Sequence, residues 1–260
     1  MGTIQILVLN AAVILAMMLV AWLVSLRLRD TGIVDVFWGL GFVLVAGTTY
    51  VAADGWELRK ALISAITAVW GFRLALHIYL RGRGKGEDKR YAAWREEHGD
   101  AWPLRSLFTV FLLQGAILWF VSLPVQTAQI GGPDHLTWLD GLGALVWAVG
   151  LTFEAVADAQ LLAFKRDPSN RGKVLSSGLW RYSRHPNYFG DAVVWWGIWL
   201  VSASTPLGRW TVLSPLVMTW LLRRVSGVTL TEKMMKDRPG YAGYVKRTSA
   251  FVPLPPKSDG

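Results

Sequence analysis

The stretch IQILVLNAAVILAMMLVAWLVSL, residues 4–26, decides the fold class, because it carries no charged side chain. A run of about 20 apolar residues crosses the hydrocarbon core of a bilayer as a helix. No basic segment precedes this run, so we expect it to be retained rather than removed as a signal peptide. The sequence predicts an all-α polytopic membrane protein with about seven transmembrane helices. The other six apolar stretches lie near 33–53, 60–80, 107–125, 138–163, 187–204 and 206–222.

The composition agrees with this prediction. Of the 260 residues, 53% are hydrophobic and only 17% are charged, and the mean hydropathy is +0.34. That balance is poor for a soluble surface. The chain has no Cys, which excludes disulfides, thiolate catalysis and cysteine-ligated metals, and its four His residues lack metal-binding spacing. We therefore expect no metal site.

The 27 Lys and Arg residues favour one side of the predicted membrane. When successive connections are assigned to alternate sides of the membrane, 23 of the 27 Lys and Arg residues lie on one side. That side holds the connections 81–106 and 164–186 and the segment after 222. Cytoplasmic connections carry an excess of Lys and Arg. The distribution predicts an N-terminus outside and a C-terminus in the cytoplasm. It also explains the net charge of +9 without nucleic-acid binding, and basic loops on this face would attract anions.

Residues 178–191, GLWRYSRHPNYFGD, place a polar and cationic cluster at the start of the sixth apolar stretch. The proline suits the first turn of a helix, whose free N–H groups and neighbouring Arg181 and Arg184 suit a phosphate. Asp191 lies four residues after Asn187, on the same helical face, and could accept a hydrogen bond from a ligand. In the alternative interpretation, Asp191 pairs with Arg184 and the other side chains anchor the chain at the membrane surface.

Other charged residues lie within or beside apolar stretches. Glu154 and Asp158, one helical turn apart in the fifth stretch, could hold ribose hydroxyls or pair with Arg73 or Arg166. An arginine such as Arg73 inside the third stretch must face protein or water rather than lipid. The segment 81–91, RGRGKGEDKRY, has glycines and cations that could wrap a diphosphate or form an ordinary cytoplasmic turn.

Asp35 opens the second apolar stretch within IVDVFWG, residues 33–39, as an isolated acid. Desolvation would favour its neutral form, which could donate a hydrogen bond to a carbonyl oxygen. It could instead be a helix N-terminal acid stabilised by the dipole. Trp38 could line an apolar substrate cavity or belong to the interfacial aromatic belt.

Together these motifs resemble the bacterial branch of the steroid 5-alpha-reductase family. The resemblance covers the chain from residue 30 onward, and its most specific part is residues 178–196. The other matching segments are the acids at 154 and 158, DPSNRG at 167–172, VDVFWG at 34–39, GKGEDKRY at 84–91 and the tail 232–253.

The resemblance implies a single reductase domain over 1–260 in a bacterial inner membrane, with substrate-cavity helices mainly in 1–106 and cofactor-binding elements mainly in 107–260. NADPH would reduce the C=C bond of an enone in a steroid-like or other lipid substrate from the bilayer, and the protein would be a monomer. The implied catalytic residues are Asp35, Trp38 and Arg73. The implied cofactor contacts are Glu87, Tyr91, Glu154, Asp158, Lys165, Asn170, Arg181, Tyr182, Arg184, His185, Asn187, Tyr188, Asp191 and Trp195.

Some positions depart from the animal members of that family. Glu154 stands where they carry Asn, and Lys165 stands where they carry Arg. Animal members polarise the substrate ketone with a Glu and a Tyr. Asp35 would replace the Glu here, and the sequence does not identify the Tyr.

Two other function classes stay open. RHPNYFG at 184–190 also resembles membrane methyltransferases of the isoprenylcysteine carboxyl and phospholipid type, which bind S-adenosylmethionine with such a turn and a C-terminal acidic pair. Here Glu232 is followed by Lys rather than by a second acid, and Asn187 and Asp191 are reductase features. The third class, a non-enzymatic sterol or lipid sensor, would be favoured if Asn187, Tyr188 or Asp191 were missing.

Overall fold

The computed structural model describes residues 1–257, and over that range the chain forms helices and no β-strand. An isolated bridge joins Ser183 to Ser249. Two π-helical segments, Leu107–Leu112 and Leu221–Val225, continue neighbouring helices. The α-helices are α1 (Thr3–Leu28), α2 (Val34–Ala52), α3 (Glu57–Gly82), α4 (Lys89–His98), α5 (Trp102–Ser106), α6 (Leu113–Val121), α7 (Leu123–Thr127), α8 (Trp138–Arg166), α9 (Pro186–Ser202), α10 (Leu213–Trp220), α11 (Val228–Met235) and α12 (Tyr241–Arg247).

The apolar helices confirm the prediction of a membrane protein. The sixth predicted stretch corresponds to α9, which has 17 residues, and the seventh is divided among a 3-10 turn, α10 and a π-helical segment. The predicted connection 81–106 is largely helical, because α4 and α5 lie in it. Five helical segments of the described chain are long and apolar enough to cross a bilayer: Thr3–Leu28, Thr31–Ala52, Glu57–Gly82, Lys89–Val121 and Trp138–Arg166.

The described chain divides into two compact units. Unit 1 contains residues 1–140 and 201–211, and unit 2 contains residues 141–200 and the chain from Val212 onward. The boundary near residue 140 differs from the predicted division at residue 106. The assignment of a substrate role to one half and a cofactor role to the other stays a prediction.

In unit 1, α2 and α3 cross at two glycines. A Cβ on Gly39 would lie 2.5 Å from the carbonyl oxygen of Gly71, and one on Gly71 would lie 2.7 Å from that of Gly39. Small residues let helix backbones approach closely in membranes, where packing rather than water exclusion drives association. This crossing fixes α2, the helix that carries Asp35.

Unit 1 also contains a fully buried ion pair near the predicted outer side. Arg59 Nε lies 2.9 Å from Asp140 Oδ1, and the same guanidinium donates to the carbonyls of Pro133 and His135. Truncating one partner of such a pair leaves an uncompensated buried charge. The pair therefore secures the 133–137 connection to the start of α3.

In unit 2, α8 and α9 approach closely enough to leave no room for side chains at their crossing. A Cβ on Gly190 would lie 2.4 Å from the backbone nitrogen of Glu154 and 2.6 Å from the carbonyl oxygen of Gly150. The crossing brings the acidic turn of α8 against the first turns of α9. It therefore explains how two motifs separated in sequence come together.

Candidate functional site

Asp35 in unit 1 is bonded to two side chains from the start of α4. The Tyr91 hydroxyl donates to Asp35 Oδ1 at 3.1 Å, and Arg90 Nη2 lies 3.3 Å from Oδ2. Gln114 of α6 donates an amide N–H to the Tyr91 oxygen at 3.4 Å. The interpretation of Asp35 as an isolated acid is therefore wrong. Arg90 therefore places a cation beside this half-buried acid.

Tyr91 is the tyrosine that the sequence did not identify as a partner of Asp35. It is only 4% exposed, and its ring packs edge-on against Trp94 at 5.8 Å. The resemblance implied Tyr91 as a cofactor contact, and that contact stays a prediction; the structure bonds its hydroxyl to an acid 56 residues away. A phenol, a carboxyl group and a guanidinium in one cluster can donate a hydrogen bond to a carbonyl oxygen and offset the charge that develops there.

The other predicted catalytic residues, Trp38 and Arg73, are half-buried in α2 and α3. The Trp38 ring meets Phe42 edge-on at 5.3 Å, and Phe42 meets Trp70 at 5.5 Å. These contacts give Trp38 a packing role in unit 1. The predicted catalytic role of Arg73 stays a prediction.

Glu87 ties the loop after α3 to the turn that precedes α2. Its carboxylate accepts from the Thr31 backbone N–H at 2.6 Å and pairs with Arg95 at 2.8 Å. Burial alone would raise the pKa of Glu87, but the hydrogen bonds from Arg95 and Thr31 outweigh it and lower the pKa. These contacts give the carboxylate a structural role within unit 1, and its cofactor contact stays a prediction.

Unit 2 contains a cavity of about 710 Å³, a size typical of small-molecule sites. Its lining includes apolar side chains, among them Phe164, Trp180 and Met234. Six cations also line it, and Asp167 is its one lining acid among the described residues. Such a lining fits a ligand with an aromatic or apolar part and a phosphate-bearing part. The cationic residues that line it are Lys165, Arg166, Arg171, Lys173, Arg184 and Arg238.

Of the predicted cofactor contacts, Lys165, Asn170, Arg184 and His185 line this cavity. The side-chain amide of Asn170 donates to the carbonyl oxygen of Phe164 at 3.2 Å and fixes the turn after α8. The sequence missed four of the lining cations as cofactor contacts: Arg166, Arg171, Lys173 and Arg238. The first three could have been found, because residues 166–173 form one short basic segment that includes DPSNRG.

Arg184 is bonded within unit 2 through all three guanidinium nitrogens. Nε and Nη2 contact Glu232 Oε1 at 2.8 and 2.6 Å, and Nη1 donates to the carbonyl oxygens of Val245 and Thr248. The alternative pairing of Arg184 with Asp191 is therefore wrong, because Glu232 of α11 takes that place. A guanidinium so fully engaged joins the 178–186 segment to α11 and α12.

The next residue, His185, is also buried. Its Nε2 lies 3.4 Å from Glu232 Oε1, and its ring stacks on Tyr188 with 5.7 Å between centroids. Burial lowers the pKa of His185 to about 4, although the Glu232 carboxylate opposes this shift. The imidazole is therefore neutral at physiological pH.

A second polar group surrounds the first turns of α9. Asn187 Nδ2 donates to Asp158 Oδ1 at 3.1 Å, while Asn187 Oδ1 is buried and accepts no hydrogen bond. Glu154 and Asp191, which are 3% and 7% exposed, lie on the facing helices α8 and α9. An unsatisfied buried acceptor is costly, so Asn187 Oδ1 marks a place where a ligand N–H donor would be stabilising.

Three further predicted contacts lie elsewhere in unit 2. Arg181 is exposed and lines a separate cavity, and Tyr182 is exposed. Trp195 is fully buried in α9. Because Trp195 is fully buried and lines neither described cavity, its contacts give it a packing role, as a tryptophan stripe more often has.

Comparisons with known proteins identify the family. Residues 21–248 match the model of a family described as a protein of unknown function (DUF1295). The chain is 27% identical over 269 residues to "Uncharacterized protein C594.04c" of Schizosaccharomyces pombe, covering 90% of this chain and 76% of that protein. It is 28% identical over 116 residues to "Probable O-methyltransferase ustE" of Ustilaginoidea virens, spanning 42% of this chain and 41% of that protein. No solved structure matches.

The family match covers most of the chain, including α2 to α11 and both polar groups described above. The chain therefore belongs to the DUF1295 family, which includes steroid 5-alpha-reductase-like membrane proteins.

Proposed function

We propose that this protein is an NADPH-dependent membrane reductase that reduces the C=C bond of an enone in a steroid-like or other lipid substrate. In this proposal α9 and the segment 206–222 complete a seven-span topology, with the N-terminus outside and the C-terminus in the cytoplasm of a bacterial inner membrane. The proposal rests on the resemblance of the motifs and on two arrangements of side chains, one in each unit.

The observation that carries the proposal is the hydrogen bond from Tyr91 to Asp35 beside Arg90. Conjugate reduction of an enone needs electron density withdrawn at the carbonyl oxygen, because negative charge develops there as the β-carbon accepts hydride. A buried phenol donor next to a guanidinium suits that demand. A methyl transfer develops no negative charge on a carbonyl oxygen, so it does not need a donor aimed at one.

Unit 2 offers groups that fit NADPH. The buried Asn187 Oδ1, which accepts no hydrogen bond, would receive the N–H of a carboxamide. The resemblance assigns Asp191 to the same cofactor. Glu154 and Asp158 would accept from ribose hydroxyls. Lys165, Arg171 and Arg238, which line the cavity, would bind phosphate groups, including a 2′-phosphate.

The residues of unit 1 then act on the substrate. Tyr91 would turn its hydroxyl from Asp35 to the substrate carbonyl oxygen and stabilise the developing enolate. Asp35 would hold the phenol in position and, when protonated, donate a second hydrogen bond, while Arg90 offsets the negative charge. NADPH, when bound, supplies the hydride for the β-carbon, and the α-carbon of the enolate takes a proton from solvent water.

The test uses the full chain purified in detergent and a panel of 4-ene-3-one steroids and other lipid enones. Enone-dependent oxidation of NADPH, with a product heavier by two hydrogens, is the expected result. Tyr91→Phe should remove the activity while NADPH still binds. Oxidation that is equally fast in the Tyr91→Phe variant would contradict the assigned role.

The second candidate is a membrane methyltransferase that uses S-adenosylmethionine. The observation that favours it is the similarity to a probable O-methyltransferase over 116 residues. Transfer of a labelled methyl group to a lipid acceptor, without enone-dependent NADPH oxidation, would establish this candidate in place of the reductase.

A further inference from the structure

Two carboxyl groups in unit 1 share one guanidinium at the start of α4. Asp88 caps this helix, because its Oδ1 accepts from the Arg90 backbone N–H at 2.9 Å. The same carboxylate holds the Arg90 side chain, with Nε at 2.9 Å from Oδ1 and Nη2 at 3.3 Å from Oδ2. Asp35 has one contact to this guanidinium, from Nη2 at 3.3 Å. Asp88 therefore has the greater share of the cation.

This unequal sharing bears on the charge of Asp35. Burial alone would raise the pKa of Asp88, but the hydrogen bonds from Arg90 outweigh it and lower the pKa, so Asp88 is ionised at neutral pH. Two carboxyl groups beside one cation resist ionising together, because one positive charge offsets only one negative charge. The proton stays on the group with the weaker hold on the cation and the lesser contact with water. That group is Asp35, whose side chain is 26% exposed, whereas that of Asp88 is 42% exposed.

Two other described groups act on Asp35, and neither removes this difference. The Tyr91 hydroxyl donates to Oδ1, and a phenol carries no charge at neutral pH. Arg81 lies at an exposed position in the last turn of α3, where water and salt screen its charge. The division of Arg90 between Asp35 and Asp88 is therefore the main electrostatic influence on the acid.

We infer that Asp88 is a positioning residue of this site, which holds Arg90 so that Asp35 keeps its proton and can donate it in a hydrogen bond to the substrate carbonyl oxygen. The inference rests on the proposed function and adds to it the group that sets the protonation state of the acid. A protonated carboxyl group has an O–H donor, whereas a carboxylate only accepts hydrogen bonds and would repel the developing enolate. Asp88 acts through Arg90 and needs no contact with the substrate.

The experiment measures kcat for enone reduction against pH in the full chain purified in detergent. Asp88→Asn removes the negative charge and keeps the helix cap, because Asn and Asp are about equally good at this position. Arg90 then pairs with Asp35 alone, and an opposite charge favours the ionised carboxylate by about one pH unit or more. We expect the alkaline fall in kcat to begin roughly one pH unit lower than in the wild type, which makes kcat about tenfold lower at alkaline pH. The loss should shrink as the pH falls.

Three further variants separate this role from a structural one. Asp88→Glu restores the negative charge and should return the pH profile toward that of the wild type. In an Arg90→Gln background, Asp88→Asn should move the profile little, because its effect passes through Arg90. The matched control Glu97→Gln removes one negative charge from an exposed position of α4 and should keep the wild-type profile.

The outcomes distinguish this inference from the proposed function. An Asp88→Asn enzyme with the wild-type pH profile, or with a loss of equal size at every pH, would overturn the inference and leave the reductase standing. The same holds if Asp88→Asn moves the profile as far without Arg90 as with it. A wild-type protein that shows no enone-dependent oxidation of NADPH would overturn both.

Discussion

The hydroxyl of Tyr91 donates to Oδ1 of Asp35 at 3.1 Å, joining the start of α4 to the first turn of α2. In the proposed reductase, this pair would polarise the carbonyl group of the substrate. Arg90 is the cation bonded to Asp35, and Arg81 and Asp88 add further charges nearby.

Tyr91→Phe removes the donor hydroxyl and keeps the ring that packs on Trp94. Loss of one preorganised donor to a developing oxyanion typically lowers kcat by roughly 10²- to 10³-fold. We expect that loss in enone reduction, with an unchanged Kd for NADPH. The exposed Tyr79 gives the control, because Tyr79→Phe should keep full turnover.

Asp35→Asn keeps the size of the side chain and removes both its negative charge and its acidic proton. We expect turnover to fall by at least about tenfold, because Tyr91 and Arg90 lose the group that orients them. Steady-state kinetics with a bound enone measure the effect, and Asp134→Asn at an exposed position serves as the control. Full turnover in the D35N enzyme would rule out a proton-donor role for Asp35.

The double variant Asn187→Ala/Asp191→Ala removes the two polar groups on the first turns of α9. If they bind the carboxamide of the cofactor, the Kd for NADPH should rise by roughly 10- to 100-fold, as expected for losing two hydrogen bonds in a buried site. Direct titration gives the Kd. Thr152→Ala, at an exposed position of α8, should leave it unchanged, and an unchanged Kd in the double variant would mean that the pocket lies elsewhere.

Because His185 is buried in its neutral form, we predict that the free energy of unfolding depends on pH. The pKa is about 4 in the folded protein and about 6.5 in the unfolded chain, so the unfolded state binds more protons between these values. Stability should therefore be constant above about pH 6.5, fall by about 3 kcal/mol as the pH drops to 4, and not fall further from this source. Melting curves across this range should lose that slope in His185→Gln and keep it in His135→Gln, which changes an exposed position.

Arg184→Lys keeps the charge and removes the planar group that contacts Glu232, Val245 and Thr248. A lysine cannot reproduce these bonds, so we expect a loss of roughly 2–4 kcal/mol of stability. Arg224→Lys at an exposed position is the matched control. A melting temperature equal to that of the wild type would show that Arg184 is free to serve a ligand.

The sequence was sufficient to predict the helical membrane fold, because five helical segments are long and apolar enough to cross a bilayer despite the charged residues in some of them. It predicted less well after residue 186. There α9 has 17 residues, a turn that contains Pro206 follows it, and the rest of the stretch is divided among a 3-10 segment, α10 and a π-helical segment. Run length and composition do not reveal where such a segment stops being one helix.

For the candidate site, local motifs predicted which short segments carry the polar residues. The i, i+4 spacing of Glu154 and Asp158 and the proline-started α9 predicted two turns that do lie together at the glycine crossing. The pairings of Asp35 with Tyr91 and of Arg184 with Glu232 could not be predicted. They span 56 and 48 residues and depend on tertiary packing, which spacing along one helix does not encode.

The central claim is that this chain binds NADPH. Its most direct test compares the melting temperature of the detergent-purified protein with NADPH, NADH and S-adenosylmethionine at matched concentrations, since a ligand at about 100 times its Kd stabilises the folded state by about 2.7 kcal/mol. The account predicts the largest stabilisation by NADPH, a smaller one by NADH and none by S-adenosylmethionine. Stabilisation by S-adenosylmethionine alone would contradict it and favour the methyltransferase.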